Sequence, residues 1–138
     1  MPLSQSIRER MIPIENYATI YPEATLKEAE LALRTAFCEL DGGRCTLAGP
    51  RSVLVTDKDG RIRGILDFMC FLKNYYPQLH GLAETLKVGD IMLKVKGAID
   101  ADADMEEGLK LIVQHSISVL PVYKGDKAVG LIRDTDFF

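Results

Sequence analysis

Few residues in this chain could make or break covalent bonds. Two histidines, His80 and His115, and three cysteines, Cys38, Cys45 and Cys70, are the whole supply of imidazole and thiol. No HExxH, GxSxG, GxxxxGK[ST] or GxGxxG occurs anywhere in the sequence, which removes the common routes to metal hydrolysis, acyl transfer and nucleotide-phosphate chemistry. The odd cysteine count, with no CxxC spacing, fits reduced thiols better than a disulfide framework. The Cys and His spacings match no common zinc pattern. A reactive thiol wants a nearby base or a positive field, and the arginine nearest to Cys70 in sequence is Arg63, seven positions away. Cys70 therefore reads as a buried apolar thiol. Asp100, Asp102 and Asp104 alternate as in a cation loop, but the glycine at the sixth position and the distant bidentate glutamate of such a loop are missing. A solvated turn ending in a helix N-cap explains them better. The expectation is a non-enzymatic chain that requires no cofactor and holds no metal.

The rest of the composition narrows the class further. The chain has 138 residues, with 17 Lys and Arg against 20 Asp and Glu, a formal net charge of −3. No stretch concentrates the bases, so a nonspecific nucleic-acid surface is disfavoured. The longest uninterrupted apolar run, Phe68 to Leu72, is far short of the roughly 20 residues that a bilayer span needs. Arg8, Glu9 and Arg10 are followed by no long apolar stretch, unlike a secretory signal. A cytoplasmic chain is expected, with no membrane association.

Positioning any site falls to elements that occur twice. The first half reads as a short helix over Ser6 to Met11, an apolar segment into Thr19 and Ile20, then a helix from Thr25. The second half reads as Val88 to Met92, then Ala98 and Ile99, then a helix from Asp104. Thr25 with Glu28, and Asp104 with Glu107, both fit a capping box. Leu26, Ala29, Leu33 and Phe37 follow helical spacing, as do Met105, Leu109 and Ile112. Hairpins follow: Ser52 to Thr56 with Ile62 to Leu66, and Val119 to Tyr123 with Lys127 to Ile132, each split by a turn containing Gly and Asp. A further helix is expected on Phe68, Phe71, Leu72 and Tyr75. Residues 1–78 thus form a first repeat, with an insertion at about 39–49 that exceeds the usual connection. Residues 79–138 form a second, with Pro77 to Glu84 as the linker, tied down by Leu79, Leu82 and Leu86. Repeats of roughly 55 to 65 residues are marginal alone and should pack against something.

Three segments then carry a resemblance: Asp90-Ile91-Met92, Ser116 through Val122, and Gly130-Leu131-Ile132-Arg133-Asp134-Thr135-Asp136. In order and spacing they resemble a CBS domain. Arg10-Met11-Ile12 and Gly64 through Cys70 resemble a divergent second copy. Together they are similar to a tandem CBS pair, or Bateman module, covering about Ile7 to Phe138. The resemblance implies a mixed α/β (α+β) fold of two pseudo-symmetric repeats, each a small sheet packed with helices. It also implies a regulatory or sensor module that binds an adenosine-containing ligand, AMP, ADP, ATP or S-adenosylmethionine, in a cleft between the repeats. Homodimers formed through helices are implied too, with a regulated protein partner that the sequence does not name. The group Phe68, Phe71, Tyr75 and Tyr76 reads either as core or as the face on which a second chain docks.

Carried over position by position, the resemblance places Asp136 where a carboxylate grips ribose hydroxyls, with Arg133 in place of the usual Ser or Thr. That carboxylate would face Thr19, Ile20, Arg51, Ser52, Val53 and Leu54, with Leu54 at the usual proline. A weaker cleft would combine Ala98, Ile99, Ile117, Ser118, Val119 and Pro121 with Asp67, where Cys70 replaces the ribose carboxylate. A thiol cannot reproduce a charged two-hydroxyl clamp, so the Asp136 cleft is favoured. Arg133 and Arg51 are expected to meet phosphate, since guanidinium binds its oxygens bidentately. The alternative is a ligand-free assembly scaffold with degenerate clefts.

Overall fold

The structure, a computed structural model, describes residues 1–41, 44–47, 52–81 and 85–138, with the backbone alone described for 36–41 and 44–47. The chain divides into two compact units. One comprises Tyr17–Asp59 and Arg63–Lys94, the other Met1–Asn16, Gly60–Ile62 and Val95–Phe138.

In the first of these, β2 (Thr19–Ile20), β5 (Ser52–Thr56), β6 (Ile62–Asp67) and β7 (Leu93–Lys94) form a four-stranded sheet in that spatial order. Strand β2 runs parallel to β5, with Thr19 opposite Leu54, and β7 runs antiparallel to β6. Helix α2 (Leu26–Phe37) starts as expected: the Glu28 amide donates to Thr25 Oγ1 at 3.1 Å, and the Thr25 amide donates to Glu28 Oε1. Its apolar stripe, Leu26, Ala29 and Leu33, meets Val53, Val55 and Leu66 of the sheet, Phe71 of α3 (Phe68–Leu79), and Val88 and Ile91 of α4 (Val88–Ile91). Burying such stripes is the main driving force of a unit this small.

The other unit repeats the plan. Strands β1 (Ile12–Pro13), β10 (Lys127–Arg133), β9 (Val119–Lys124) and β8 (Ile99–Asp100) form its sheet, and β8 runs parallel to β9. Helix α5 (Met105–His115) is capped by Asp104, which accepts from the Glu107 amide at 2.9 Å. Its core joins Ile7 of α1 (Ile7–Arg10) to Met105, Ile112, Leu120, Val122, Ile132 and Phe137. At the end of α5, Ser116 adopts the left-handed conformation usually given to glycine, while the Ile117 amide reaches back to Ile112 O. A 3₁₀ turn, Asp134–Phe137, ends the chain.

The structure departs from the sequence reading in three places. The segment expected as an excursion at 39–49 includes a hairpin, β3 (Cys38–Asp41) with β4 (Arg44–Leu47). Its register pairs Cys38 with Leu47 and Cys45 with Leu40. Helix α3 runs through Pro77 to Leu79, whereas Pro77 was expected to open the linker. Lacking an N–H, Pro77 forgoes one helical hydrogen bond in the last turn, and the helix stops two residues later. Within the linker Leu79 is exposed, Leu86 packs on the core of its unit, and Leu82 lies outside the described residues.

The third difference concerns which segments pack together. The repeats were read as consecutive, 1–78 and 79–138, but the opening segment of each packs with the body of the other. The Ile7 amide donates to Ala103 O and the Val88 amide to Ala24 O, both at 2.8 Å. Gly130 and Gly64 make the matching crossings possible. A Cβ on Gly130 would lie 2.5 Å from Ile12 O and 2.9 Å from Met11 Sδ. One on Gly64 would lie 2.7 Å from both Leu93 O and Met92 Sδ.

Candidate ligand site

Asp136 lies in the 3₁₀ turn after β10, and its side chain is only 11% exposed. Its Oδ2 accepts from the Arg133 backbone amide at 2.7 Å and from Arg133 Nε at 3.3 Å. Its Oδ1 accepts from Arg133 Nη2 at 2.9 Å. The backbone contact is a capping device that the chain uses repeatedly: Glu9 accepts from the Ser6 amide, Glu28 from Thr25 and Asp90 from Lys87. Those other three carboxylates are exposed. Asp136 alone of the four is half-buried and gripped by a guanidinium. A second guanidinium, Arg10, donates Nε and Nη2 to the Asp136 carbonyl oxygen at 3.2 and 2.9 Å.

The other residues read as the favoured site belong to the unit built on β2 and β5. Thr19 is exposed and Ile20 and Ser52 are half-buried, while Val53 and Leu54 are fully buried. Val53 belongs to the core, so it offers a ligand backbone rather than side chain. Arg51 lies outside the described residues.

Of the weaker set, Ala98 and Ser118 are exposed, Ile117 and Val119 are half-buried, Pro121 is buried and Ile99 is a core residue. The Ser118 carbonyl accepts from the Asp134 amide at 2.9 Å. Asp67 is the N-cap of α3 and accepts from the Cys70 amide at 2.7 Å. The two repeats therefore build the same corner from opposite halves of one capping box. In the first, the residue before the turn caps the amide three positions on; in the second, Asp136 caps back.

Cys70 is buried, its Sγ 2.8 Å from Ile91 O, to which the thiol donates. Burial pushes the thiol above its ordinary value of 9.0, the Asp67 charge pushes it further the same way, and Lys73 opposes. A protonated, enclosed thiol is a poor nucleophile. Among the described residues no group of three or more His, Cys, Asp or Glu is placed to hold a metal ion, and no helix is long and apolar enough to cross a membrane.

Residues 88–138 match the family model of the CBS domain. No curated protein matches the chain in sequence. Among solved structures, the CBS domain of the bacterial CNNM/CorC family Mg2+ transporter is similar with a TM-score of 0.74 at 20% identity, covering 98% of this chain and 73% of that one. CBSX2 in complex with AMP gives 0.65 at 18% identity, over 95% and 91% of the two chains. The cytosolic domain of the Mg2+ channel MgtE in complex with ATP gives 0.62 at 22%, over 91% of this chain and 45% of that one.

The chain has the fold of a CBS-domain pair.

The sequence reading missed Arg10. It stands 126 positions from Asp136, and no local pattern joins them. Only the exchange of opening segments brings α1 to the second repeat's final turn. The sequence also left the aromatic group of α3 undecided. Phe71 is buried and stacks on Tyr75 with centroids 4.9 Å apart, and Phe68 and Tyr75 pack on the core. Only Tyr76 of that group is exposed, joined by Met69, Leu72 and Leu79.

Proposed function

We propose that this CBS pair is a cytoplasmic, non-enzymatic regulatory module that binds an adenine nucleotide, with Asp136 as the anchor for ribose hydroxyls. The observation that carries the reading is the half-buried Asp136 carboxylate gripped by Arg133, with Arg10 on the backbone carbonyl of the same residue. A carboxylate accepts two hydroxyl protons, and guanidinium groups suit phosphate oxygens. Two proteins of this fold bind AMP and ATP, which supports the same ligand class here. Thr19, Ile20, Arg51 and Ser52 to Leu54 are the proposed base-lining residues, and Ala98, Ile99, Ile117 to Val119, Pro121 and Asp67 the weaker second set. Regulation would follow if the ligand binds one conformation more tightly than another.

The test is calorimetric titration of AMP, ADP, ATP and S-adenosylmethionine into the wild type and Asp136→Asn. The amide oxygen of Asn can still accept from the Arg133 amide, so the turn is kept while the charge is lost. The expected result is nucleotide binding by the wild type and a loss of about tenfold or more in the variant, the scale of a hydrogen bond to a charged group. Equal binding by both folded proteins would remove Asp136 from the site.

A second reading, a ligand-free assembly scaffold, is favoured by one feature. Met69, Leu72, Tyr76 and Leu79 recur along one side of α3, each more than half exposed. We propose that this stripe is where a second copy docks, whether or not a nucleotide binds.

A further inference from the structure

We infer that Arg10 is a positioning residue for Asp136: from the opening helix it fixes the backbone of the final turn, and so aims the carboxylate at the ligand. The inference rests on the nucleotide reading above and concerns what places that same carboxylate. Arg10 donates Nε and Nη2 to the Asp136 carbonyl oxygen at 3.2 and 2.9 Å. Both donors belong to one rigid planar fork, so the pair sets a direction as well as a distance. The contact is with the main chain, and it leaves the carboxylate oxygens to other partners.

Each end of this link is anchored. Ile7 of α1 is fully buried in a core that includes Phe137. Gly108 of α5 leaves room for both, since a Cβ there would lie 2.9 Å from Ile7 Cδ1 and 3.5 Å from Phe137 Cζ. The Ile7 and Arg8 amides donate to Ala103 O and Ala101 O at 2.8 and 3.1 Å. The peptide between Asp136 and Phe137 is therefore held on one side by a core side chain and on the other by Arg10.

The other repeat makes the same junction with the opposite polarity. Met11 crosses Gly130 as Met92 crosses Gly64. Arg10 and Ile91, one position before each methionine, are the last residues of α1 and α4. Asp136 and Cys70 each lie six positions beyond the crossed glycine. At the second of these corners the Cys70 thiol donates to Ile91 O at 2.8 Å, so the turn commits its own side chain to the junction. At the first, the helix supplies the side chain and the turn only a carbonyl. Arg10, where the other repeat has an isoleucine, thus lets the junction form without using the Asp136 carboxylate.

The experiment is a double-mutant cycle. AMP, ADP, ATP and S-adenosylmethionine are titrated calorimetrically into the wild type, Arg10→Ala, Asp136→Asn and the double variant, with Arg10→Lys and Arg8→Ala beside them, each below its onset of unfolding. Affinity for the tightest of the four ligands is expected to fall about fivefold in Arg10→Ala. In the Asp136→Asn background the same substitution should cost less than about twofold, because residues that act through one another are not additive. Arg10→Lys should recover part of the loss, having a donor without the fork, and it carries the cycle should Arg10→Ala fail to fold. Arg8→Ala, which removes the exposed 2.7 Å pair with Asp102 on the same helix, should bind as the wild type does. Hydrogen exchange gives a reading that needs no ligand: the Arg133 amide, which donates to Asp136 Oδ2, should exchange faster in Arg10→Ala and not in Arg8→Ala. Wild-type affinity in Arg10→Ala, equal losses in both backgrounds, or an Arg133 amide that exchanges no faster would overturn the inference and leave the nucleotide reading standing. Binding of none of the four ligands by the wild type would overturn the nucleotide reading and the inference with it.

Discussion

At the scale of single residues, Cys70 and Asp136 occupy equivalent corners and have opposite characters. The thiol is buried and donates to Ile91 O, and the carboxylate is half-buried and accepts from Arg133. The Cys70 shift sets the direction of a pH effect. The folded state holds the thiol proton above the ordinary value of 9.0, so the unfolded chain ionises first as pH rises. The associated stability is fully present below that value and is lost as pH climbs through the raised folded value. Unfolding free energy measured by urea from neutral pH upward should therefore fall more steeply in the wild type than in Cys70→Ala. Identical slopes would mean that the thiol does not contribute. The residue types at this corner were legible in sequence. That Asp136 is shared between a cap and a guanidinium was not, because the side-chain rotamer of Arg133 is set by its surroundings.

At the scale of elements, the two-residue strands β1 and β7 do more than their length suggests. Each closes one edge of the other repeat's sheet, and each passes so close to a glycine of β10 or β6 that no side chain fits. In Gly130→Ala the new Cβ would press on Ile12 O and Met11 Sδ, and in Gly64→Ala on Leu93 O and Met92 Sδ. Both variants are expected to lose about 1–3 kcal/mol, the usual cost of overpacking, read from urea unfolding midpoints. Wild-type stability in both would show that the crossing strands give way to a methyl group at no cost. The hairpins, the helix starts at Thr25 and Asp104, and the repeat itself were readable because caps, turns and periodicity are local signals. The helical course through Pro77 and the hairpin at Cys38–Leu47 were not. The first overrides a local preference at a helix end, and the second lies in a stretch with little hydrophobic alternation.

For the molecule as a whole, the unmatched feature is the apolar side of α3. Tyr76 and Leu79 are each 63% exposed while their neighbour Phe71 is in the core, so the helix is apolar on more of its circumference than its own unit covers. Light scattering of the wild type should give the mass of a dimer. Leu72→Glu combined with Tyr76→Glu should return it to the monomer mass with the fold intact, since neither side chain is buried in the chain itself. A monomeric wild type at all concentrations would leave the stripe without this occupant.

The sequence by itself determined the repeat, the fold class and the chemical poverty of the chain, because residue types and short-range periodicities are properties of the chain alone. It also singled out Asp136 by its position in a motif. Tertiary structure decided which segments of the repeats pair, that Arg10 meets the Asp136 turn, and which aromatic residues of α3 are core. Those outcomes depend on contacts between residues far apart in sequence, formed so that each short opening strand finds a sheet edge whose backbone groups would otherwise be unpaired.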